Sequence, residues 1–386
     1  MPQAGFDTLD IEILRKRKSE KWHTYPADIL PAWVAEMDFP LAPPIQETLQ
    51  EALEKWDTGY PISPDKTGIR EAFADRMGER FGWAVDPGDV TVLSEVVQGL
   101  YLALGSLTEP GEGAIVQTPI YPPFLDAVEK TGRQLVENRL IRGSDGWEID
   151  FESLEAAIAP NTRAFLLCNP HNPSGRVLTR QELERLAEIV LAHDLVVVAD
   201  EIHSDLTFDG RVHIPFGSLG PEVAARTLTL NSASKSFNIA GLRCSVAHFG
   251  SPALRKRFDS QLPQHIRGGM GMSGLYATIS AWREGQEWLD QAVAYLEGNR
   301  NFLTRELAER FPKISWAPCQ GTYLAWLDCG ELGWQGSPTR RFLERGKVAL
   351  SEGGNFGSGF EQFTRLNFAT SREILASVLD RMEKAL

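Results

Sequence analysis

The chain has 386 residues, 42% hydrophobic and 24% charged, which suits a folded protein with one large and one smaller domain. A formal net charge of −13, with no long basic block to offset it, argues against nucleic acid as a partner. No apolar run reaches the ~18 residues that a membrane-spanning helix needs, and the four cysteines form no C-x-x-C pair. We therefore expect a cytoplasmic protein without a membrane span, a disulfide framework or a metal site.

Residues 1–45 are rich in proline and tryptophan and predict an irregular arm, whose apolar side chains need a surface to pack on. Apolar residues then recur at helical spacing from Pro44 to Trp56 and again across Gly68–Phe81. The run Gly59-Tyr60-Pro61 between them breaks the helical pattern. Two helices separated by a turn are therefore predicted.

Strands and helices alternate from residue 90 onwards. Predicted strands lie at Val90–Leu93, Ala114–Gln117, Gln134–Val136, Arg163–Cys168, Leu195–Ala199, Thr227–Leu230 and Val246–Phe249. Predicted helices lie between them, for example at Val97–Leu107 and Asp150–Ile158. Such alternation predicts an α/β fold with a doubly wound, mostly parallel sheet covered by helices on both faces.

The last third of the chain has a different pattern. It becomes helical from about Ser273, with a long amphipathic stretch from Gly285 to Phe311 and a terminal helix from Ser371. Apolar runs near Thr322–Leu327 and Leu366–Phe368 predict strands of a second, smaller α+β domain. We expect an N-terminal arm at 1–45 that contributes to the small domain, a large domain at 46–280 and the small domain at 281–386.

Polar residues follow several neighbouring predicted strands. Asn172, Asp200 and the segment Ser232–Lys235 each come after a strand, and Tyr121 comes after another. Taken singly, the lysine suits a solvated loop, the aspartate a helix cap and the asparagine a turn. Ligands of open α/β sheets bind at the carboxyl ends of the strands. Because all of these residues would meet along that one edge, the sequence favours a binding site.

The residue types at this edge suit pyridoxal phosphate (PLP). Lys235 offers an amine for covalent attachment, and apolar walls would lower its pKa. Asp200 could make a charge-assisted hydrogen bond to the ring nitrogen, and Tyr121 could stack on the ring. The candidate phosphate ligands are Ser232, Ser234, Arg243 and the amide N–H groups of a helix start at Val96 and Val97.

Four runs of residues resemble the fold-type I PLP enzymes, which form the aminotransferase class I/II superfamily. More narrowly, they resemble its MalY/PatB-like branch of cystathionine β-lyases and C–S lyases. The matching runs are Trp33-Val-Ala-Glu-Met-Asp-Phe39, Asn169-Pro-His-Asn-Pro-Ser-Gly175, Asp200-Glu-Ile-His-Ser-Asp205 and Ser232-Ala-Ser-Lys-Ser-Phe-Asn-Ile-Ala-Gly-Leu-Arg243. The resemblance implies the PLP cofactor, a small amino-acid substrate and a homodimer with shared active sites.

The resemblance also implies further residue roles. Asn172 matches the residue that hydrogen-bonds the ring oxygen near the substrate carboxylate, and Tyr121 would also contact the substrate. Arg365, which from the sequence alone suits the surface, matches the arginine that binds that carboxylate. Tyr60 matches a tyrosine that reaches the phosphate of the neighbouring subunit. His203 replaces a tyrosine of many aminotransferases, which favours a lyase and leaves its acid–base role open.

The implied reaction is β-elimination of a thiol from cystathionine or a related S-substituted L-cysteine, giving pyruvate and ammonia. Lys235 would remove the Cα proton. Three alternatives stay open at this point: an aminotransferase that uses the same residues, a non-catalytic PLP-binding regulator, and an aldolase without the cofactor. Candidates for the side-chain pocket are Tyr25, Trp33, Phe124 and residues near Phe356.

Overall fold

A computed structural model describes residues 5–143, 146–262 and 264–386. The strands are β1 (Leu30–Pro31), β2 (Val90–Leu93), β3 (Gly113–Thr118), β4 (Gln134–Arg139), β5 (Ile141–Gly143), β6 (Gly146–Glu148), β7 (Thr162–Cys168), β8 (Val196–Asp200), β9 (Thr227–Asn231), β10 (Ser245–Phe249), β11 (Leu324–Asp328), β12 (Val348–Ala349), β13 (Ser351–Glu352) and β14 (Phe363–Asn367). The α-helices are α1 (Ile11–Arg15), α2 (Glu20–His23), α3 (Pro43–Glu54), α4 (Ile69–Phe81), α5 (Val96–Leu107), α6 (Pro122–Lys130), α7 (Phe151–Ala157), α8 (Arg180–Ala192), α9 (Pro221–Ala224), α10 (Ala233–Ser236), α11 (Pro252–Gln261), α12 (Met272–Glu284), α13 (Gln286–Arg310), α14 (Pro338–Arg341) and α15 (Arg372–Glu383).

A seven-stranded sheet in the order β2-β10-β9-β8-β7-β3-β4 forms the centre of the molecule. Its strands run parallel except β10, which pairs antiparallel with both β2 and β9. The apolar, β-branched run of β8 is buried because helices cover both faces of such a sheet. The predicted doubly wound, mostly parallel α/β fold is confirmed.

Each face of this sheet has its own hydrophobic core. Val198 of β8 packs on one face with residues of α5, α6 and α11, whereas Val197 and Ala199 pack on the other with residues of α7 and α8. Successive side chains of a strand point to opposite faces, so one short strand contributes to both cores. The sheet is therefore held between two helical layers, with the carboxyl ends of its parallel strands left at one edge.

The last third of the chain has a smaller sheet and long helices. The strands β11, β14 and β13 form an antiparallel sheet in that order. Helix α13 (Gln286–Arg310) coincides with the amphipathic stretch predicted from Gly285 to Phe311, and α15 coincides with the predicted terminal helix. Among the helices that the structure describes, none has the length and apolar character needed to cross a bilayer.

The N-terminal arm is more regular than its sequence suggests. The prediction of an irregular segment is wrong in part, because the arm contains α1, α2 and the strand β1, which pairs in parallel with β12. Lys21 and Asp38 form a buried ion pair at 2.8 Å, and the Trp22 indole donates to Asp38 at 2.6 Å. Phe6 and Leu14 pack in the same core as α15. These contacts fix the arm against the C-terminal part of the chain.

Candidate active site

A cavity of about 400 Å³ lies at the carboxyl ends of the parallel strands. Residues that follow β3, β7, β8 and β9 line it, together with the start of α5 and part of the N-terminal arm. The structure brings together most of the predicted site residues in its wall, namely Val96, Val97, Tyr121, Asn172, Asp200, His203, Ser232, Ser234, Lys235 and Arg243.

Lys235 reaches the cavity from a short helix that directly follows a buried strand. Ser232 caps this helix, α10, by accepting a hydrogen bond from the Ser234 amide at 3.0 Å. The Lys235 Nζ donates to the Ala35 carbonyl at 2.9 Å. Burial and, to a smaller extent, the Arg365 charge lower the pKa of Lys235 to about 8, and Asp200 opposes both effects. More of this amine is therefore neutral near neutral pH than of an ordinary lysine.

Asp200 and His203 present unsatisfied polar atoms to the same cavity. The Asp200 Oδ1 accepts from the Ile202 amide at 3.1 Å, while its Oδ2 has no hydrogen bond with any described residue. Burial raises the pKa of Asp200 to about 7. The His203 Nδ1 is also buried without a partner in the described chain, and burial lowers the pKa of His203 to about 3. A cation beside Asp200 and a polar group beside the neutral His203 would satisfy both.

Arg365 on β14 is buried, with only 4% of its surface exposed, so the surface position that the sequence alone suggests is wrong. Its Nη1 donates to the Asn172 Oδ1 at 2.9 Å, and its Nη2 donates to the Trp33 carbonyl at 3.1 Å. The guanidinium also lies 5.0 Å from the Phe356 ring centroid. Burial lowers the pKa of Arg365 to about 10. Arg365 is therefore connected to the cavity through its hydrogen bond to Asn172, which lines the cavity.

The start of α5 lines one part of the cavity. The first-turn amides of a helix lack partners within the helix and attract anions, and Val96 and Val97 occupy that turn. Arg243 lies nearby and forms an ion pair with Glu95. The Ser232 hydroxyl already donates to the Cys244 carbonyl at 2.6 Å, so it is not free to donate to an anion in this arrangement.

Several predicted residues lie elsewhere. The Tyr60 side chain is fully exposed between α3 and α4 and does not line this chain's cavity. Trp33 packs edge-to-face on Tyr25 at 5.7 Å, Phe124 lies in a sheet core and Phe356 lies under Arg365. None of these aromatics is among the residues that line the cavity, so the side-chain pocket expected at Tyr25, Trp33, Phe124 and the residues near Phe356 stays a prediction.

Sequence reasoning missed the wall that the arm contributes. Its lining residues are Ser19, Glu20, Val34, Ala35 and Glu36. Ala35 and Glu36 lie within one of the runs that carried the resemblance, but no signal in the sequence placed them against Lys235. Glu20 lies outside those runs and became a site residue only through the folding of the arm.

The residues that line the cavity have unpaired polar groups of the kinds that PLP needs as partners. The Asp200 Oδ2 is available as an acceptor for a protonated ring nitrogen, and the His203 Nδ1 for a ring substituent. Lys235 supplies an amine, and Tyr121 lines the cavity as a flat partner. The start of α5 supplies amides for a phosphate group.

Comparisons with known proteins agree with this architecture. The family model described as aminotransferase class I and II matches residues 36–382. The cystathionine β-lyase PatB of Bacillus subtilis is 39% identical, with 93% of each chain covered. A cystathionine β-lyase of Corynebacterium glutamicum is 36% identical over 98% of this chain and 99% of its own. The crystal structure of the PLP-bound C–S lyase from Staphylococcus hominis is 28% identical, with a TM-score of 0.91 and 98% of each chain covered.

Proposed function

The chain belongs to the aminotransferase class I and II family, and we propose on this premise that it is a PLP-dependent C–S β-lyase. Its substrates are cystathionine or related S-substituted L-cysteines, and its products are a thiol, pyruvate and ammonia. The observation that carries the proposal is the position of Lys235, whose amine lies in one cavity with Asp200 and next to buried Arg365. Relatives named cystathionine β-lyase support this choice of reaction.

The proposed cofactor site uses the groups that line the cavity. Asp200 would keep the ring nitrogen protonated, Tyr121 would stack on the ring, and Asn172 and His203 would face the ring substituents. The phosphate would bind at Val96, Val97, Ser234 and Arg243, with Ser232 shaping the turn and its hydroxyl available after rotation away from Cys244. When bound, PLP supplies an electron sink for the negative charge that develops at the substrate Cα.

Two side chains of this protein would act on the substrate itself. The Arg365 guanidinium offers a planar fork to the α-carboxylate, and its present partners are Asn172 and the Trp33 carbonyl. The Lys235 Nζ, whose pKa is lowered to about 8, accepts the Cα proton as a general base. Loss of that proton allows the Cβ–S bond to break and the thiol to leave.

An aminotransferase is the second candidate, because the same residues would hold the same cofactor. Purified protein incubated with cystathionine, with and without a keto-acid acceptor, distinguishes the two. Homocysteine and pyruvate released in equal amounts without acceptor establish the lyase, whereas dependence on the acceptor establishes the aminotransferase. A lack of turnover with every amino acid tested would instead favour a cofactor-binding regulator.

The proposed assembly is a homodimer in which Tyr60 reaches the phosphate of the neighbouring subunit. An exposed apolar stretch at Leu53, Trp56, Tyr60 and Ile62 supports a protein interface there. Mixing Tyr60→Phe protein with Lys235→Ala protein tests the sharing of sites. A hybrid dimer has one site with both native residues, so mixing should restore activity that each variant lacks. Unchanged activity on mixing, with exchange of subunits demonstrated, would argue against shared sites.

We also propose the division into an arm at 1–45, a large domain at 46–280 and a small domain at 281–386. The seven-stranded sheet ends with β10 and the three-stranded sheet begins with β11, which supports a boundary between them. A cytoplasmic location is proposed from the acidic composition and the buried, unpaired cysteines.

A further inference from the structure

The lysine of the site lies on a helix that is too short to be stable by itself. Helix α10 spans only Ala233–Ser236, whereas isolated helices shorter than about 12 residues are marginal in water. Its position must therefore come from contacts with other parts of the chain. Because Lys235 lies within this helix, the place of its amine depends on the same contacts.

Two hydroxyl groups fix the two ends of α10. At its start, the Ser232 Oγ donates to the Cys244 carbonyl at 2.6 Å. At its end, the Ser236 Oγ donates to the Asp205 Oδ2 at 3.0 Å. Ser236 is 1% exposed, so this hydrogen bond is shielded from bulk water. Lys235 therefore lies between two residues whose side chains are bonded to other segments.

The carboxylate that accepts from Ser236 belongs to the segment that carries Asp200. Asp205 lies in the turns that follow Asp200, the last residue of β8. A second hydrogen bond links the same two segments, because the Asn231 Nδ2 donates to the Ser204 Oγ at 3.1 Å just before α10. Two side-chain hydrogen bonds thus join the segment of Asp200 to the segment that contains α10.

A buried arginine holds Asp205 in turn. The Arg76 Nη2 bonds the Asp205 Oδ1 at 2.6 Å, and the two side chains are only 3% and 4% exposed. The Arg76 guanidinium also lies 5.5 Å from the ring centroid of Phe237, the residue that follows Ser236. Asp205 therefore bonds Arg76 with one oxygen and Ser236 with the other, which fixes the direction of its carboxylate.

A buried ion pair adds little stability compared with packed apolar side chains. Its desolvation offsets most of the attraction between the two charges. What a fully bonded polar network does add is a fixed geometry. Neither Arg76 nor Asp205 is among the residues that line the cavity, so any effect of this pair on a reaction there passes through other residues such as Ser236.

We propose that Asp205 and Ser236 are positioning residues that hold Lys235 at the place from which its amine takes the Cα proton. Arg76 supports them by fixing the Asp205 carboxylate. This inference rests on the proposed lyase function and adds to it residues that do not contact the substrate. A displacement of about 1 Å can slow a reaction about a hundredfold, so the anchoring of α10 should act on kcat.

Ser236→Ala tests the proposal on the holoenzyme, because it removes the donor with little change of shape. In pyruvate release from cystathionine, kcat should fall about tenfold while KM stays almost the same, since the carboxylate-binding Arg365 is untouched. With substrate deuterated at Cα, the isotope effect on kcat should be at least as large as in wild type. A smaller isotope effect would mean that another step is slowed, and would contradict the proposal.

Asp205→Asn keeps the shape of the acceptor but replaces its carboxylate with a neutral amide, which bonds more weakly. Its own loss of kcat should be smaller than that of Ser236→Ala. Because both changes act on one hydrogen bond, Ser236→Ala should lower kcat less in the Asp205→Asn background than in wild type. The same fold-loss in both backgrounds would mean that the two residues act independently, and would overturn the proposal.

Ser106→Ala is the matched control. Ser106 is 2% exposed and its hydroxyl donates to the Leu102 carbonyl at 2.7 Å within α5, so this change should leave kcat unchanged. Hydrogen exchange of the cofactor-free chain adds a readout that does not depend on turnover. The Ile239 amide donates to the Ser234 carbonyl at 3.1 Å, and its exchange should become faster in Ser236→Ala but not in Ser106→Ala.

The outcomes separate the positioning role from the lyase function. Unchanged kcat or unchanged Ile239 exchange in Ser236→Ala overturns the positioning role while the lyase function stands. A rise in KM at constant kcat also overturns it, because the network would then serve substrate binding. An equal fall of kcat in Ser106→Ala would assign the effect to general loss of packing. A lack of pyruvate from the wild type overturns the proposed function instead.

Discussion

The buried ion pair between Lys21 and Asp38 offers a sharp test of how the arm is held. In Lys21→Met the Asp38 carboxylate stays buried and, among the residues the structure describes, keeps only the indole donor of Trp22. Breaking a buried pair by removing one partner costs about 3–5 kcal/mol, because an uncompensated charge remains in the interior. The pair connects two segments of the arm, and one of its members, Asp38, also bonds the C-terminal third through its backbone. Most of the free-energy cost should therefore appear as weaker docking of the arm on the C-terminal third.

Three backbone hydrogen bonds report that docking directly. The amides of Leu30, Ala32 and Asp38 donate to carbonyls of the C-terminal third, namely those of Lys347, Ala349 and Ala369, each at 2.9 Å. If these amides exchange through detachment of the arm, a cost of about 3 kcal/mol raises their hydrogen-exchange rates about a hundredfold. Amides of the central sheet should not change.

The chain also provides a matched control. Lys55 and Glu51 form an ion pair of nearly the same length, 2.9 Å, but its side chains are 70% and 64% exposed. Lys55→Met should therefore leave the free energy of unfolding and the exchange of the arm amides almost unchanged. If Lys21→Met left exchange at Leu30 and Ala32 as slow as Lys55→Met does, the buried pair would not be what fixes the arm, and the burial argument would be refuted.

Three further changes follow from the same contacts. Arg365→Lys keeps the charge but loses the planar fork, so kcat/KM for cystathionine should fall about 10- to 100-fold, while the exposed Arg340→Lys should leave it unchanged. Burial raises the pKa of Asp200 from 3.8 to about 7 in the cofactor-free chain. The folded state then binds more protons than the unfolded state between these values, so stability from this group falls as the pH rises. Chemical denaturation of the cofactor-free proteins should accordingly show that Asp200→Asn has a higher free energy of unfolding than wild type, by a margin that grows from pH 4 to 7. A margin that does not change with pH would mean that the Asp200 carboxyl titrates normally. Asp205→Ala leaves the buried Arg76 without its carboxylate at 2.6 Å and should cost about 3–5 kcal/mol in chemical denaturation; a cost below 1 kcal/mol would contradict that role.

The central sheet could be predicted because its signals are local. The run Leu195–Ala199 is apolar and β-branched, which is typical of a strand buried on both faces, and the structure places β8 there within one residue. The residues after such strands, Asp200 and Lys235, were then expected at one edge of the sheet, and both line the cavity. The predicted strand order was therefore enough to bring Asp200 and Lys235 into one site.

What could not be predicted depends on contacts between distant segments. The buried guanidinium of Arg365 bonds Asn172 and the Trp33 carbonyl, and both of these partners are far away in the sequence. The elements α1, α2 and β1 are each too short to show periodicity, and the arm forms through packing on the C-terminal third. Glu20 reaches the cavity for the same reason.

The most direct test of the central claim compares wild type and Lys235→Ala in pyruvate release from cystathionine without a keto-acid acceptor. We expect steady pyruvate and homocysteine formation by the wild type, because the Lys235 Nζ lies in the cavity with Asp200 and can take the Cα proton. We expect no turnover by Lys235→Ala. Near-normal rates in that variant would contradict the assignment of Lys235, and no release by the wild type would contradict the lyase.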